Sequence, residues 1–204
     1  MNYLAVDTCG KNLTIVLSYN ERLYTFYDKD CGLRHSVSLM PTIEKLQVEA
    51  NAEFSKLDFI ACVVGAGSFT GIRIGVATAK ALAFSYNLPV LRLTSFDVLA
   101  YNEKELKDKN VLALIDAGHG GYYAQTFTKG TKGEPKYILT EEVLSLIKEY
   151  KIISRDNLLG LDYEKADVLQ GLINAVNALK ENVCKDLGVI APLYVRKSQA
   201  EEGR

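Results

Sequence analysis

Apolar and polar positions change rhythm several times along this chain of 204 residues. Residues 3–8 (YLAVDT), 13–19 (LTIVLSY) and 22–28 (RLYTFYD) are short runs rich in Val, Ile, Leu, Tyr and Thr. Gly10-Lys11-Asn12 and Asn20-Glu21 separate them, which predicts an antiparallel meander joined by tight turns. Over 34–51 the rhythm becomes helical, with Val37, Met40, Ile43 and then Leu46 or Gln47 along one side. Pro41 lies inside that pattern, so the helix either restarts there or kinks. Residues 57–64 (LDFIACVV) form a continuous apolar run, as a strand buried on both faces does. A glycine-rich loop follows, then a long helix to about Tyr86, a strand within 88–93 and a short helix over 95–101.

The long helix carries apolar residues on two faces. Ile72, Gly75, Val76, Ala79, Leu82, Ala83 and Tyr86 share one side, and Ile74, Ala77, Ala81 and Phe84 the other, with Arg73 and Lys80 on a narrow stripe between them. A helix apolar nearly all round has to be covered twice. Its own sheet supplies one cover; the other is a second lobe or another chain. Gly75, Ala79 and Ala83 recur every four residues, a small-residue ridge that admits a close neighbour.

Residues 103–110 (EKELKDKN) are nearly all polar and mark a seam. Beyond it the opening pattern returns: Leu4-Ala5-Val6-Asp7 followed by Gly10 is matched by Ala113-Leu114-Ile115-Asp116 followed by Gly118 and Gly120. In both places an apolar strand ends on Asp, turns through glycine and enters another strand, so the chain reads as a repeat. Strands at 137–139 and 151–154, a helix opening at Thr140 as N-cap, and an amphipathic helix over about 165–185 complete the second half. The expectation is an α/β protein of two similar lobes, 1–102 and 103–204, the second smaller and poorer in helix. The polar end of 192–204 is expected to fray.

Charge narrows the chemistry. Lys and Arg number 24 against 25 Asp and Glu, whereas a protein that grips a nucleic-acid backbone by itself shows a basic excess or face. Cys9, Cys31, Cys62 and Cys184 follow no C-x-x-C spacing and read as buried thiols of a reducing compartment. No stretch resembles a secretory leader or a membrane span, so the expected location is cytoplasmic.

The loop opening the long helix, GAGSFTG at 65–71, lacks the lysine of a P-loop, since Ile72 follows Gly71. It misses the dinucleotide fingerprint by one position, where Thr70 stands in place of the third glycine. Ala66 and Thr70 also rule out a nucleophile elbow around Ser68, and His35 and His119 show no triad or zinc spacing. Two uses of the loop remain: an anion held by Gly67, Ser68 and Thr70 at a helix N-terminus, or a turn in which Ser68 or Thr70 caps the helix.

Taken together, YLAVDT, RHSVSLMPTI, GAGSFTGIRIGVATAKALA, LIDAG and PLYVRK resemble, in order and over most of the chain, the TsaB (YeaZ) family. Its most specific motif occupies Gly65 to Gly75, with Ala66 where proline is usual. The resemblance implies the actin/Hsp70/sugar-kinase (ASKHA, ribonuclease H-like) superfold with a reduced second lobe. It further implies a non-catalytic subunit in the formation of N6-threonylcarbamoyladenosine at position 37 of tRNA. That subunit pairs with its paralogue TsaD, with the ATPase TsaE as a further partner; a homodimer can use much the same surface. On this reading tRNA is held mainly by the partners, and ATP, threonylcarbamoyl-AMP and a metal ion belong to them. The first two helices form the interface, which assigns Val37, Met40, Ile72, Gly75, Val76, Ala79 and Ala83 to it. Where TsaD carries an H-x-x-x-H metal pair, this chain has Ser95 and Leu99, neither able to rebuild that site, and Gly118-His119 follows Asp116-Ala117 where the family often has arginine. The alternative within the same superfold is a small-molecule kinase with Asp7 and Asp116 at the phosphate end of the two lobes.

Overall fold

A computed structural model of the chain describes residues 1–196, without the Leu33 side chain. The expected fraying tail lies outside the described residues from 197 onward. The chain divides into two compact units, Met1–Thr94 with Ala175–Leu193, and Ser95–Asn174 with the residues from Tyr194.

In the first unit β1 (Tyr3–Asp7), β2 (Leu13–Tyr19) and β3 (Arg22–Asp28) form the expected meander. Asn20 and Glu21 both take positive φ, 49° and 63°, the mirror-image turn that suits the twist of a two-residue hairpin. β4 (Phe59–Val63) and β5 (Val90–Leu93) add parallel to β1, giving the order β3-β2-β1-β4-β5. Every residue of β1, β2 and β4 is buried. α1 (His35–Ala50) runs through Pro41 as one helix. Pro41 lies on the exposed side, where water can solvate the carbonyl that the ring leaves unbonded. α2 (Phe69–Tyr86) ends at Asn87, whose left-handed φ of 52° lets its N–H reach the last-turn carbonyls.

The second unit repeats the plan. β6 (Asn110–Gly118) pairs antiparallel with β7 (Gly121–Thr128) and parallel with β10 (Lys151–Ser154), as β1 does with β2 and β4. The short β8 (Thr131–Lys132) and β9 (Lys136–Leu139) both pair with β7, and β11 (Glu164–Lys165) extends the other edge. The matching strand ends share a turn: Asp7 Oδ1 accepts from Cys9 N–H and Asp116 Oδ1 from Gly118 N–H, each at 2.8 Å. Helices are shorter, with α4 (Thr140–Leu146) only seven residues long and no helix between β10 and β11 where the first unit has α2. The two sheets with these topologies form the two-lobed ASKHA fold, the second lobe reduced.

Three details differ from expectation. The units do not follow 1–102 and 103–204: α3 (Ser95–Ala100) is wholly buried and packs on β6, β7 and β10, so it clusters with the second unit, while 175–193 clusters with the first. Thr140 is the first helical residue rather than the cap; its hydroxyl donates to Gly120 O at 3.2 Å, and the Glu142 carboxylate accepts from Leu139 N–H. α5 (Val168–Leu179) starts after Asp167, which accepts from Gln170 N–H, and passes at Lys180 into a 3-10 turn.

Candidate functional site: the α1 and α2 surface

The glycine loop is a packing device first. β4 ends at Val63, the chain turns through Gly65 and Gly67 at φ 121° and 148°, and α2 begins at Phe69. A Cβ on Gly65 would stand 2.6 Å from the Leu193 carbonyl oxygen, and one on Gly71 or Gly75 would overlap Thr8. Thr8, at the end of β1, is fully buried and its Oγ1 donates to Gly71 O at 2.7 Å. The motif therefore lets the first two turns of α2 lie directly on the carboxyl end of β1, an approach that any side chain blocks.

Ser68 is the N-cap: its Oγ accepts from Gly71 N–H at 3.2 Å. Its own N–H donates to Cys9 O at 2.7 Å. The backbone N–H of Ser68 is thus committed within the chain, and its Oγ caps the helix as an acceptor. Gly67 is half-buried and Thr70 exposed.

Packing orients α2 opposite to the expected assignment. Ile72, Gly75, Val76, Ala79 and Ala83 are buried, at 6% exposure or less where they carry a side chain, because this side of the helix covers β4 and β1. These five are not on a surface where a partner could meet them. The side left open carries Arg73, Ala77, Ala81 and Phe84, with Ile74 half-buried at its margin. Phe84 is 80% exposed.

α1 keeps both of its assigned residues outside. It buries His35, Leu39, Ile43 and Leu46, and leaves Val37 68% and Met40 39% exposed. Val48, eleven residues beyond Val37 and so on the same side, is 79% exposed. Sequence periodicity gave no weight to it, although its spacing from Val37 and Pro41 carried the signal. α1 and α2 pack together, so their open sides belong to neighbouring helices of one unit.

The positions proposed for phosphate chemistry are occupied otherwise. Asp7 is fully buried, with its carboxylate turned to the Cys9 amide. Two cavities of about 460 and 520 Å³ lie in the second unit, and neither is lined by Asp7, Asp116 or the 65–71 loop. Burial, with the Asp7 carboxylate adding to it, pushes the Cys62 thiol up to about 12, which keeps it protonated and inert. His35 is buried with Nε2 3.0 Å from Asn12 O, and His119 is exposed in a turn. Ser95 and Leu99 are fully buried, Ser95 Oγ receiving the Arg155 guanidinium at 3.4 Å. No group of three potential metal ligands occurs among the described residues.

The family model described as TsaD, tRNA N6-adenosine threonylcarbamoyltransferase, matches residues 29–183. Relatives named tRNA threonylcarbamoyladenosine biosynthesis protein TsaB match as well, the Bacillus subtilis protein at 33% identity over 123 residues. The chain belongs to the TsaD/TsaB (YeaZ) family. That B. subtilis match covers 60% of this chain and 53% of the relative, and the Escherichia coli TsaB matches at 25% over 150 residues, 71% and 64% of the two chains. The chain thus spans about half the length of the B. subtilis TsaB. The solved YeaZ of Pseudomonas aeruginosa is similar in fold, with a TM-score of 0.71 at 24% identity, covering 95% of this chain and 99% of that one. No helix among the described residues is long and apolar enough to cross a membrane.

Proposed function

We propose that this chain serves the formation of N6-threonylcarbamoyladenosine in tRNA as a non-catalytic subunit that pairs with TsaD through the open sides of α1 and α2. The observation that carries the reading is the exposure of Val37, Met40, Val48 and Phe84 on two adjacent helices of one unit. Apolar side chains grouped in this way mark a protein contact rather than a solvated face. Phe84 is the anchor, since a large ring 80% exposed in the free chain gains most by entering a partner's pocket.

In this reading the chain's own residues perform no reaction. Ile72, Gly75, Val76, Ala79 and Ala83 hold α2 on the sheet, and the helix presents Ala77, Ala81 and Phe84 to TsaD. ATP, threonylcarbamoyl-AMP and the metal ion belong to TsaD and to TsaE, which joins the pair, and those subunits make most of the tRNA contacts. A homodimer can form on the same helix surface when TsaD is absent.

The test is threonylcarbamoyl transfer to tRNA reconstituted from TsaD and TsaE with this chain, without it, and with Phe84→Arg. Transfer should need the chain, and Phe84→Arg should lose both transfer and co-purification with TsaD while keeping the wild-type melting temperature. Wild-type co-purification by that variant would remove α2 from the interface, and full transfer without the chain would end the subunit reading.

A further inference from the structure

The repeat between the two units breaks where a helix returns over the meander. In the first unit β3 leads through a 3-10 turn into α1, which is sixteen residues long and packs on both β2 and β3. In the second unit β9 pairs with β7 as β3 pairs with β2, and it leads directly into α4, seven residues long and packed chiefly on β9. Part of the sheet face that a longer helix would cover therefore stays open, and the cavity of about 460 Å³ lies there. Its floor is Leu112, Ala124 and Ile138, each at 5% exposure or less and each part of the apolar core of this unit.

Three polar side chains lining the cavity have no ion-pair or hydrogen-bond partner among the described residues: Lys136, Glu134 and Thr126. Lys136 stands opposite Ala124 in the ladder between β7 and β9, and Thr126 opposite Leu112 in the ladder between β7 and β6, so both share the face of the floor. Gly133 keeps the Thr126 hydroxyl uncovered, because a Cβ there would collide with it. Glu142 and Ser145 also line the space but are committed: the Glu142 carboxylate accepts from Leu139 N–H at 3.1 Å, and the Ser145 hydroxyl donates to Glu142 O at 2.6 Å.

A cation and an anion thus border one apolar floor, two residues apart in the chain, without pairing with each other. A simple anion would be repelled by Glu134 and a simple cation by Lys136, and a neutral apolar molecule would cover both charges without satisfying either. The complement is a molecule that carries both charges beside an apolar group. The volume lies in the range of small-molecule sites, roughly 300–1,000 Å³.

We propose that this cavity binds a free α-amino acid with an aliphatic or aromatic side chain. Lys136 and the Thr126 hydroxyl take its carboxylate, Glu134 takes its ammonium group, and its side chain lies on Leu112, Ala124 and Ile138. Every residue of the site belongs to the second unit, so it does not depend on the α1 and α2 surface or on the pairing with TsaD.

Titration of the full isotope-labelled chain with L-leucine and with L-phenylalanine, followed by amide chemical shifts, should move resonances around Lys136 and Ser145. The shifts should saturate with a Kd below roughly 1 mM. L-Leucinamide, which lacks the carboxylate, and N-acetyl-L-leucine, which lacks the ammonium group, should each bind at least tenfold more weakly. Lys136→Met should weaken L-leucine at least tenfold while changing L-leucinamide little, and Glu134→Gln should weaken L-leucine similarly while changing N-acetyl-L-leucine little. Both side chains are exposed, so both variants should keep the wild-type melting temperature. No shift with either amino acid at roughly 10 mM, equal binding of L-leucine and its two blocked forms, or binding untouched by Lys136→Met overturns the proposal. Phe84→Arg should bind L-leucine as the parent chain does, so a failure here is distinct from a failure of the subunit reading.

Discussion

Thr8 and Gly75 meet where β1 ends and α2 begins, with the Thr8 hydroxyl occupying the space that a Cβ on Gly75 would need. The same hydroxyl donates to Gly71 O at 2.7 Å. One buried residue thus sets how closely the helix lies on the sheet, its hydroxyl facing Gly75 and its backbone carbonyl facing Gly71.

Gly75→Ala should therefore destabilise the chain by about 1–3 kcal/mol through overpacking, although alanine is the better helix former. In a Thr8→Ala background the hydroxyl is gone and the cost should fall by about 1 kcal/mol or more. Gly71→Ala, which meets the Thr8 backbone carbonyl instead, should not be relieved in this way. Chemical denaturation of the four-member cycle reads the coupling, and simple additivity would show that the contact is loose.

The two sides of α2 should respond oppositely to charge. Ala79 is fully buried and Ala77 exposed. Ala79→Arg buries an unpaired guanidinium and should lower the melting temperature by about 10 °C or more, whereas Ala77→Arg should leave it within about 2 °C. Thermal melts followed by circular dichroism decide between them. Equal melting temperatures would mean that the helix is rotated from the described orientation.

Asp97 lies inside the wholly buried α3 and forms an ion pair with Lys132 of β8. Lys132→Met leaves a buried carboxylate without this cation and should cost about 2–3 kcal/mol. Asp97→Asn removes the buried charge and frees a lysine that is already 39% exposed, so it should cost less. Urea midpoints of the two variants give the order, and the reverse order would show that Lys132 contributes little.

Lys151 bridges Glu103 at 2.9 Å and Glu164 at 2.6 Å. The hydrogen bond from Lys151 holds the Glu103 carboxyl below its usual range, and the hydrogen bonds to Glu164 and then Glu103 raise Lys151. A depressed carboxyl stabilises the fold above its unfolded pKa, about 4.3, and loses that contribution as pH falls through the lower folded value. A raised lysine stabilises fully below about 10.4 and loses it as pH rises through the higher folded value. Lys151→Met should therefore cost up to about 1 kcal/mol near neutral pH, and the difference from wild type should vanish in acid. Melting temperatures at pH 7 and pH 3 provide the measurement; a difference that persists at pH 3 would point to lost packing of the lysine stem.

Local pattern carried much of this molecule. The meander of β1 to β3, the buried strand β4, the span of α1 and α2, and the Asp-ended repeat at Asp7 and Asp116 were all legible, because strand and helix periods and turn chemistry act over a few residues. The family motif from Gly65 to Gly75 was legible for the same reason. Sequence alone also showed that α2 is apolar on two sides.

Which side faces inward was a tertiary decision. Ile72, Gly75 and Ala79 turned to the sheet, and Phe84 to the outside, because only the side bearing Gly71 and Gly75 can approach Thr8 without collision. Periodicity counts apolar positions but carries no shape for the surface they meet. The Asp97 to Lys132 pair, and the placement of α3 with the second unit, depend likewise on contacts between residues far apart in the chain, which only the folded arrangement of the strands brings together.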